Sequence, residues 1–320
     1  KIRASHQAAF PVLLKPCRDP AEQNRYLTAQ LRDYHAQGYA YEQMAILFRT
    51  NLGIRFVMDA LMKGGIPFHM KDAIPNLFAH WISLDIIAYL RLVSGTGNTR
   101  ANWLRIMNRP NRYIKREALA PFTSDISVAQ LKAYYQDKDW MLERLDRLEY
   151  DLSIMKRMSP YAAIHYLSNA MKYQDYLKDY AKEHHINEQE LLDVLNAVHE
   201  SSQSCRTFAE WFTYIDTYTE ELQKQAKSPA SNDANNESGV CLCTLHCAKG
   251  LEYPIVFIPD INEDNIPHAR AAVDADLEEE RRLFYVGITR AKEHLHLYCV
   301  GEASGKEKFP SRFLEELNEM

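Results

Sequence analysis

The stretch "TLHCAKGLEY", Thr244–Tyr253, sets His246, Lys249 and Glu252 between two apolar runs, "VCLCT" and "PIVFIP". Such a loop presents a titratable base, a fixed cation and an anion to one ligand. In an open parallel α/β sheet, ligands bind beyond the carboxyl ends of the strands. Two further clusters follow strand-like runs: Arg49, Thr50 and Asn51 after "MAILF", and Asp264–His268 after "PIVFIPDI". Any one of them alone reads as solvated loop charge, so the expectation rests on their falling together on one sheet edge. Arg290, in "GITRAKE", is a further cation, whose bland alternative is an ion pair with one of Glu278–Glu280. "CLCTLHC" invites a zinc reading through Cys241, Cys243, Cys247 and His246. Cys241 and Cys243 alternate along an expected buried strand, where cysteine acts as a small hydrophobe, so no metal is expected.

These residues need a sheet to hold them. "FPVLLK", "MAILF" and "IPFHM" have strand length, and two helices separate them. The first has Asp19 as N-cap, Pro20 in the first turn and Glu22 for a capping box; the second, "NLGIRFVMDALMKGG", stops at Gly64 and Gly65. From Phe78 to Gln225 the periodicity turns helical, as in "LDIIAYLRLV", "AYYQDKDWMLERLDRLEYDLSIM", "AAIHYLSNAMKYQDYLKDYAKEH" and "EQELLDVLNAVHESS". "AKSPASNDANNESG" then reads as a linker. Past it come "VCLCT", "PIVFIP", the helix "ADLEEERRLFYVGITRAKE" and the strand "HLHLYCV". The expected organisation is one α/β domain in two segments, 1–77 and 240–320, interrupted by an all-helical domain over 78–225 and a flexible linker over 226–239.

The bounds agree with that organisation. The chain has 320 residues, 46% hydrophobic and 25% charged, which suffices for packed cores. Six cysteines without framework spacing read as free thiols. No apolar run is long enough for a membrane span and no signal peptide is evident, so a cytoplasmic location is expected. The first residue is Lys1, which allows that the chain was cut from a longer one. Net charge is −5, yet no acidic residue lies between Asp85 and Glu117, where Arg91, Arg100, Arg105, Arg109, Arg112, Lys115 and Arg116 are interleaved with Trp103 and Tyr113. That stretch reads either as a phosphate-tracking surface or as a solvated helical face.

Together, "FRTN" with Arg55 beyond it, "TLHCAKGLEYPIVF", "IPHAR" and "EEERRLFYVGITRAKE" resemble the motifs of the second RecA-like domain in superfamily 1 DNA helicases of the UvrD/Rep/PcrA type. The resemblance covers roughly Phe10–Met70 and Val240–Phe313, with the helical insertion in the place of the family's mobile subdomain. "MKDAIPNLFAHWISLDIIAYLRL" departs from the family's Gly-Gly turn, so the DNA contacts of that turn are not carried over.

The resemblance implies a RecA-like parallel sheet with helices on both faces and an ATP-dependent, single-strand-translocating helicase of 3′ to 5′ polarity. It implies that Arg290 reaches the γ-phosphate of ATP, that Glu252 accepts from the ribose hydroxyl, and that Lys249 lies between nucleotide and DNA. Arg49, Asn51, His246 and His268 would face the single strand. A guanidinium suits the first role, being always charged and forked. ATP and Mg2+ would be held mainly by a neighbouring amino-terminal half, because no GxxxxGK followed by Ser or Thr is present; this chain alone is expected to be inactive. Expected partners are single-stranded DNA, single-strand/duplex junctions and repair or replication proteins, with no membrane. Two alternatives stand beside it: a non-catalytic module binding DNA or a repair partner, and the motor region of a helicase-nuclease.

Overall fold

The computed structural model describes residues 12–71, 75–97, 99–227, 238–269, 271, 274–303 and 305–318. The chain divides into two compact units, Lys1–Ile74 with Lys224–Met320, and Pro75–Gln223. Of the expected linker, residues 228–237 lie outside the described residues.

In the first unit, Asp19 holds an extended backbone and its side chain accepts the Glu22 N–H, starting helix α1 at Pro20–Ala36. Strand β1 (Leu13–Cys17) precedes it; β2 (Met44–Phe48), helix α2 (Asn51–Gly64) and β3 (Phe68–Met70) come next. After the second unit come β4 (Val240–Thr244) and β5 (Tyr253–Ile258). The six strands, closed by β6 (Ala291–Val300), form one parallel sheet in the order β1-β6-β5-β2-β4-β3. Alternation sends Ala45, Leu47, Cys241, Cys243, Val256, Ile258, Leu295 and Leu297 to one face, which packs on Leu283 and Phe284 of the long helix before β6. The opposite face meets α1, where the Tyr34 ring lies 6.4 Å from Phe257 and 5.4 Å from His296. Helices therefore cover both faces, which is the RecA-like α/β architecture expected.

The second unit contains α3 (Trp81–Ser94), α4 (Thr99–Ile106), α5 (Val128–Tyr134), α6 (Asp139–Met155), α7 (Pro160–Asn169), α8 (Tyr173–His184), α9 (Glu188–Ser201) and α10, which runs on to Lys227 from Phe208. Among its described residues there is no strand. Two long helices expected from periodicity are each broken. The run Ala133–Met155 ends one helix at Tyr134 and restarts at Asp139, and Lys172, at φ 60°, separates α7 from α8. Hydrophobic period survives a one-turn interruption, so it reports the buried face and not helix continuity.

The basic stretch of this unit is divided: Arg91, Lys115 and Arg116 are exposed, while Arg105, Arg109 and Arg112 turn partly inward. Asp85, fully buried on α3, receives Arg109 Nη1 at 2.8 Å and Tyr173 Oη at 2.9 Å, and lies 2.8 Å from Arg105 Nε. Arg112 donates to the carbonyls of Ile106 and Pro110, both at 3.2 Å. Burial pushes the Asp85 carboxyl above its ordinary range, against the two arginines and the tyrosine. Both readings of the stretch as exposed charge are corrected at Arg105, Arg109 and Arg112: a buried carboxylate and open backbone carbonyls draw their guanidinium groups in.

Candidate functional site

The residues expected along one sheet edge occupy two. Strands β4 and β5 flank β2 and run parallel, so the loop Leu245–Glu252 must return from the carboxyl edge to the amino edge before β5 can begin. Leu245 N–H still bonds to Phe48 O across the β2–β4 ladder at 2.8 Å, and the chain then returns by tight turns, with Ala248 N–H bonded to Thr244 O at 3.0 Å and Leu251 N–H to Ala248 O at 3.1 Å. Gly250, at φ 84°, supplies the left-handed residue the last turn requires. His246 thus stays at the carboxyl edge, Lys249 lies exposed within the return, and Glu252 arrives at the opposite edge.

At the carboxyl edge, Arg49 ends β2. Its Nε donates to Glu280 Oε2 at 2.8 Å and its Nη2 to Glu280 Oε1 at 2.5 Å, the side chains being only 17% and 10% exposed. Glu280 Oε2 also accepts the backbone N–H of His268 at 3.1 Å. Burial raises the Glu280 carboxyl, but the bonds from Arg49 and His268 outweigh it and hold the group below its ordinary range. His246 stands nearby: partial burial, then the charges of Arg49 and Lys249, keep its ring below the usual histidine range against Glu280 and Glu279. Arg49, His246, Lys249 and His268 are thereby brought together. Asn51 is the first residue of α2, and its side chain lies outside the described residues.

At the amino edge, helix α11 (Asp274–Ile288) ends and Arg290 precedes β6. The helix is shorter than the sequence period suggested, because β5 captures the residues after Arg290: Tyr253 N–H bonds to Arg290 O at 2.9 Å, and Tyr253 pairs with Ala291. The Arg290 guanidinium donates through Nε to Val286 O and through Nη1 to Leu251 O, both at 2.9 Å, and through Nη2 to Thr289 Oγ1 at 3.1 Å. Among the described residues it has no carboxylate partner. Of its anticipated competitors, Glu278 pairs with Arg281, Glu279 with Arg282 and Glu280 with Arg49. Glu252 lies 3.3 Å from Lys292, with both side chains more than half exposed.

Two buried charged residues, on the helices that begin beside the site, carried no assignment in the sequence. Glu280 hid among Glu278, Glu279 and Glu280, and only burial singles it out. Arg55 is 3% exposed on α2, its guanidinium 4.3 Å above the Phe56 ring. The signal was available for Arg55, since an arginine set among Ile54, Val57 and Met58 falls on a helix face that is otherwise core.

Cys241 and Cys243 are fully buried core residues, and Tyr253 Oη donates to Cys241 Sγ at 3.1 Å. Among the described residues no helix is long and apolar enough to cross a membrane.

Residues 3–301 match the UvrD-like helicase C-terminal domain family. A putative ATP-dependent DNA helicase, YjcD of Bacillus subtilis (strain 168), is 28% identical over 96% of this chain and 40% of its own length. The ATP-dependent DNA helicases PcrA of Staphylococcus epidermidis and of Staphylococcus aureus are each 28% identical over 94% of this chain and 43% of theirs. The chain therefore spans about two fifths of the length of the relatives it matches.

Proposed function

The chain belongs to the UvrD-like helicase C-terminal domain family, and from that premise we propose that it is the carboxyl-terminal half of an ATP-dependent DNA helicase that translocates 3′ to 5′ on single strands. The observation that carries this reading is Arg290. Its guanidinium is oriented by two backbone carbonyls and has no carboxylate partner among the described residues. The carbonyls fix the direction of the fork without cancelling its charge, which leaves it able to meet an anion at the amino edge of the sheet.

ATP, with Mg2+ on a neighbouring half that bears the phosphate loop, supplies a γ-phosphoryl group whose charge spreads over its oxygens during transfer. The forked guanidinium of Arg290 stabilises that charge. Glu252, exposed beside Leu251, exchanges Lys292 for a ribose hydroxyl. Lys249 bridges this edge and the other, where Arg49, Asn51, His246 and His268 follow single-stranded DNA near its junction with duplex. The role belongs to cytoplasmic DNA repair or replication.

The test is single-strand-stimulated ATP hydrolysis by a full-length protein carrying this chain. Arg290→Ala should lower the rate on the order of 10³-fold or more with DNA affinity within a few-fold of wild type, and this chain without its other half should not hydrolyse ATP. An Arg290→Ala enzyme within a few-fold of the wild-type rate would remove the assignment.

A further inference from the structure

Glu280 joins three segments that the sequence separates: Arg49 at the end of β2, His268 in the loop after β5, and its own helix α11. The helix runs from the carboxyl edge back to the amino edge, and its 15 residues, ~22 Å at ~1.5 Å each, end beside Arg290. One carboxylate thus fixes two residues of the DNA-facing edge to the element that delivers the nucleotide-facing arginine.

We infer that Glu280 is a positioning residue for single-stranded DNA, holding the Arg49 guanidinium and the His268 backbone in the geometry in which the strand is gripped. This rests on the helicase reading above. The pair engages Nε and Nη2 along one side of the guanidinium, while Nη1 makes no hydrogen bond among the described residues. Arg49 therefore reaches a phosphate oxygen with a donor whose direction Glu280 has already set. Stability alone does not account for the arrangement, since an apolar pair of similar volume commonly stabilises a buried corner as well as an ion pair does. What an apolar pair lacks is the ability to orient a planar fork.

The sign of the effect separates positioning from charge. Removing a carboxylate near DNA should tighten binding if Glu280 acts only as a nearby anion. It should weaken binding if Glu280 orders Arg49, because the strand must then immobilise a long side chain itself. In the full-length protein, the single-stranded DNA concentration that half-stimulates ATP hydrolysis is measured beside the maximal rate. Glu280→Gln should raise that concentration roughly three- to tenfold, the range expected for ordering one such side chain at binding, and by more than it lowers the maximal rate. Arg49→Lys, which keeps the charge and loses the fork, should act likewise. Glu280→Gln with Arg49→Gln should be no worse than Arg49→Gln alone. An unchanged or lower half-stimulating concentration in both Glu280→Gln and Arg49→Lys, or additive losses in the double variant, would overturn the inference. Those outcomes with Arg290→Ala still inactive remove Glu280's role alone; wild-type turnover that ignores DNA, or Arg290→Ala at the wild-type rate, removes the helicase reading instead.

Discussion

His296 is a buried base with one hydroxyl for company. Its Nε2 lies 2.7 Å from Tyr34 Oη, and its ring stacks on Phe257 at 4.7 Å. Burial, helped by His294, lowers its pKa to about 4. The unfolded chain takes up this proton below about pH 6.5 while the folded chain refuses it until about 4, so stability falls as pH drops through that window. At pH 5 the loss from this one group is about 2 kcal/mol. His296→Gln keeps a partner for Tyr34 and cannot titrate. Urea denaturation should show the variant's deficit relative to wild type shrinking by about 2 kcal/mol between neutral pH and pH 5; a deficit constant across that range would mean that His296 is protonated in the fold. "HLHLYCV" gave the strand by its alternation, and not which face its histidines would share with α1. The same divide holds at the site. Residue types singled out Arg290, Glu252 and His246 as candidates, whereas the pairing of Arg49 with Glu280 depends on tertiary approach across 231 positions and leaves no trace in local spacing.

Helix α11 lies on the sheet because Gly287 lets it. A Cβ there would collide with Leu245 Cδ2 and come within 3.3 Å of Ile258 Cδ1. Leu245 is fully buried and opens the return loop toward Lys249 and Glu252, so it has nowhere to move without moving that loop. Gly287→Ala gains about 1 kcal/mol of helix propensity and loses about 1–3 kcal/mol to overpacking. The expected result is a lower melting temperature, recovered in part when Leu245→Val is added. A melting temperature that rises with Gly287→Ala alone would show the interface to be loose. Elements of this kind were largely legible: β2 and β4 coincide with the apolar runs "MAILF" and "VCLCT", and α1 begins at its cap. Their ends were less so. The end of α11 is set by β5 pairing with Ala291, just past Arg290, and the break at Lys172 is a backbone conformation that no period encodes.

At the scale of the whole molecule the question is which positive charge remains available to DNA in a chain of net charge −5. The densest run of arginines offers less than its composition suggests, since Arg105 and Arg109 answer the buried charge of Asp85 and Arg112 answers backbone carbonyls, while Arg91, Lys115 and Arg116 stay exposed. Composition exposed the run and could not expose its partner, because Asp85 sits at the run's own boundary. The two candidate surfaces make different demands. If the proposed track is correct, the full-length protein's affinity for single strands should fall with salt, each phosphate contact adding about 0.7 to the logarithmic slope. Arg49→Gln should lower the slope by about that amount, similarly for all sequences. Arg109→Gln should leave the slope alone and lower the urea midpoint instead, because a fully buried carboxylate loses one of its two guanidinium partners at about 1–3 kcal/mol. If Arg109→Gln lowers the slope and Arg49→Gln does not, the charge that meets DNA lies in the helical unit, and the edge of the sheet holds Arg49 for the fold alone.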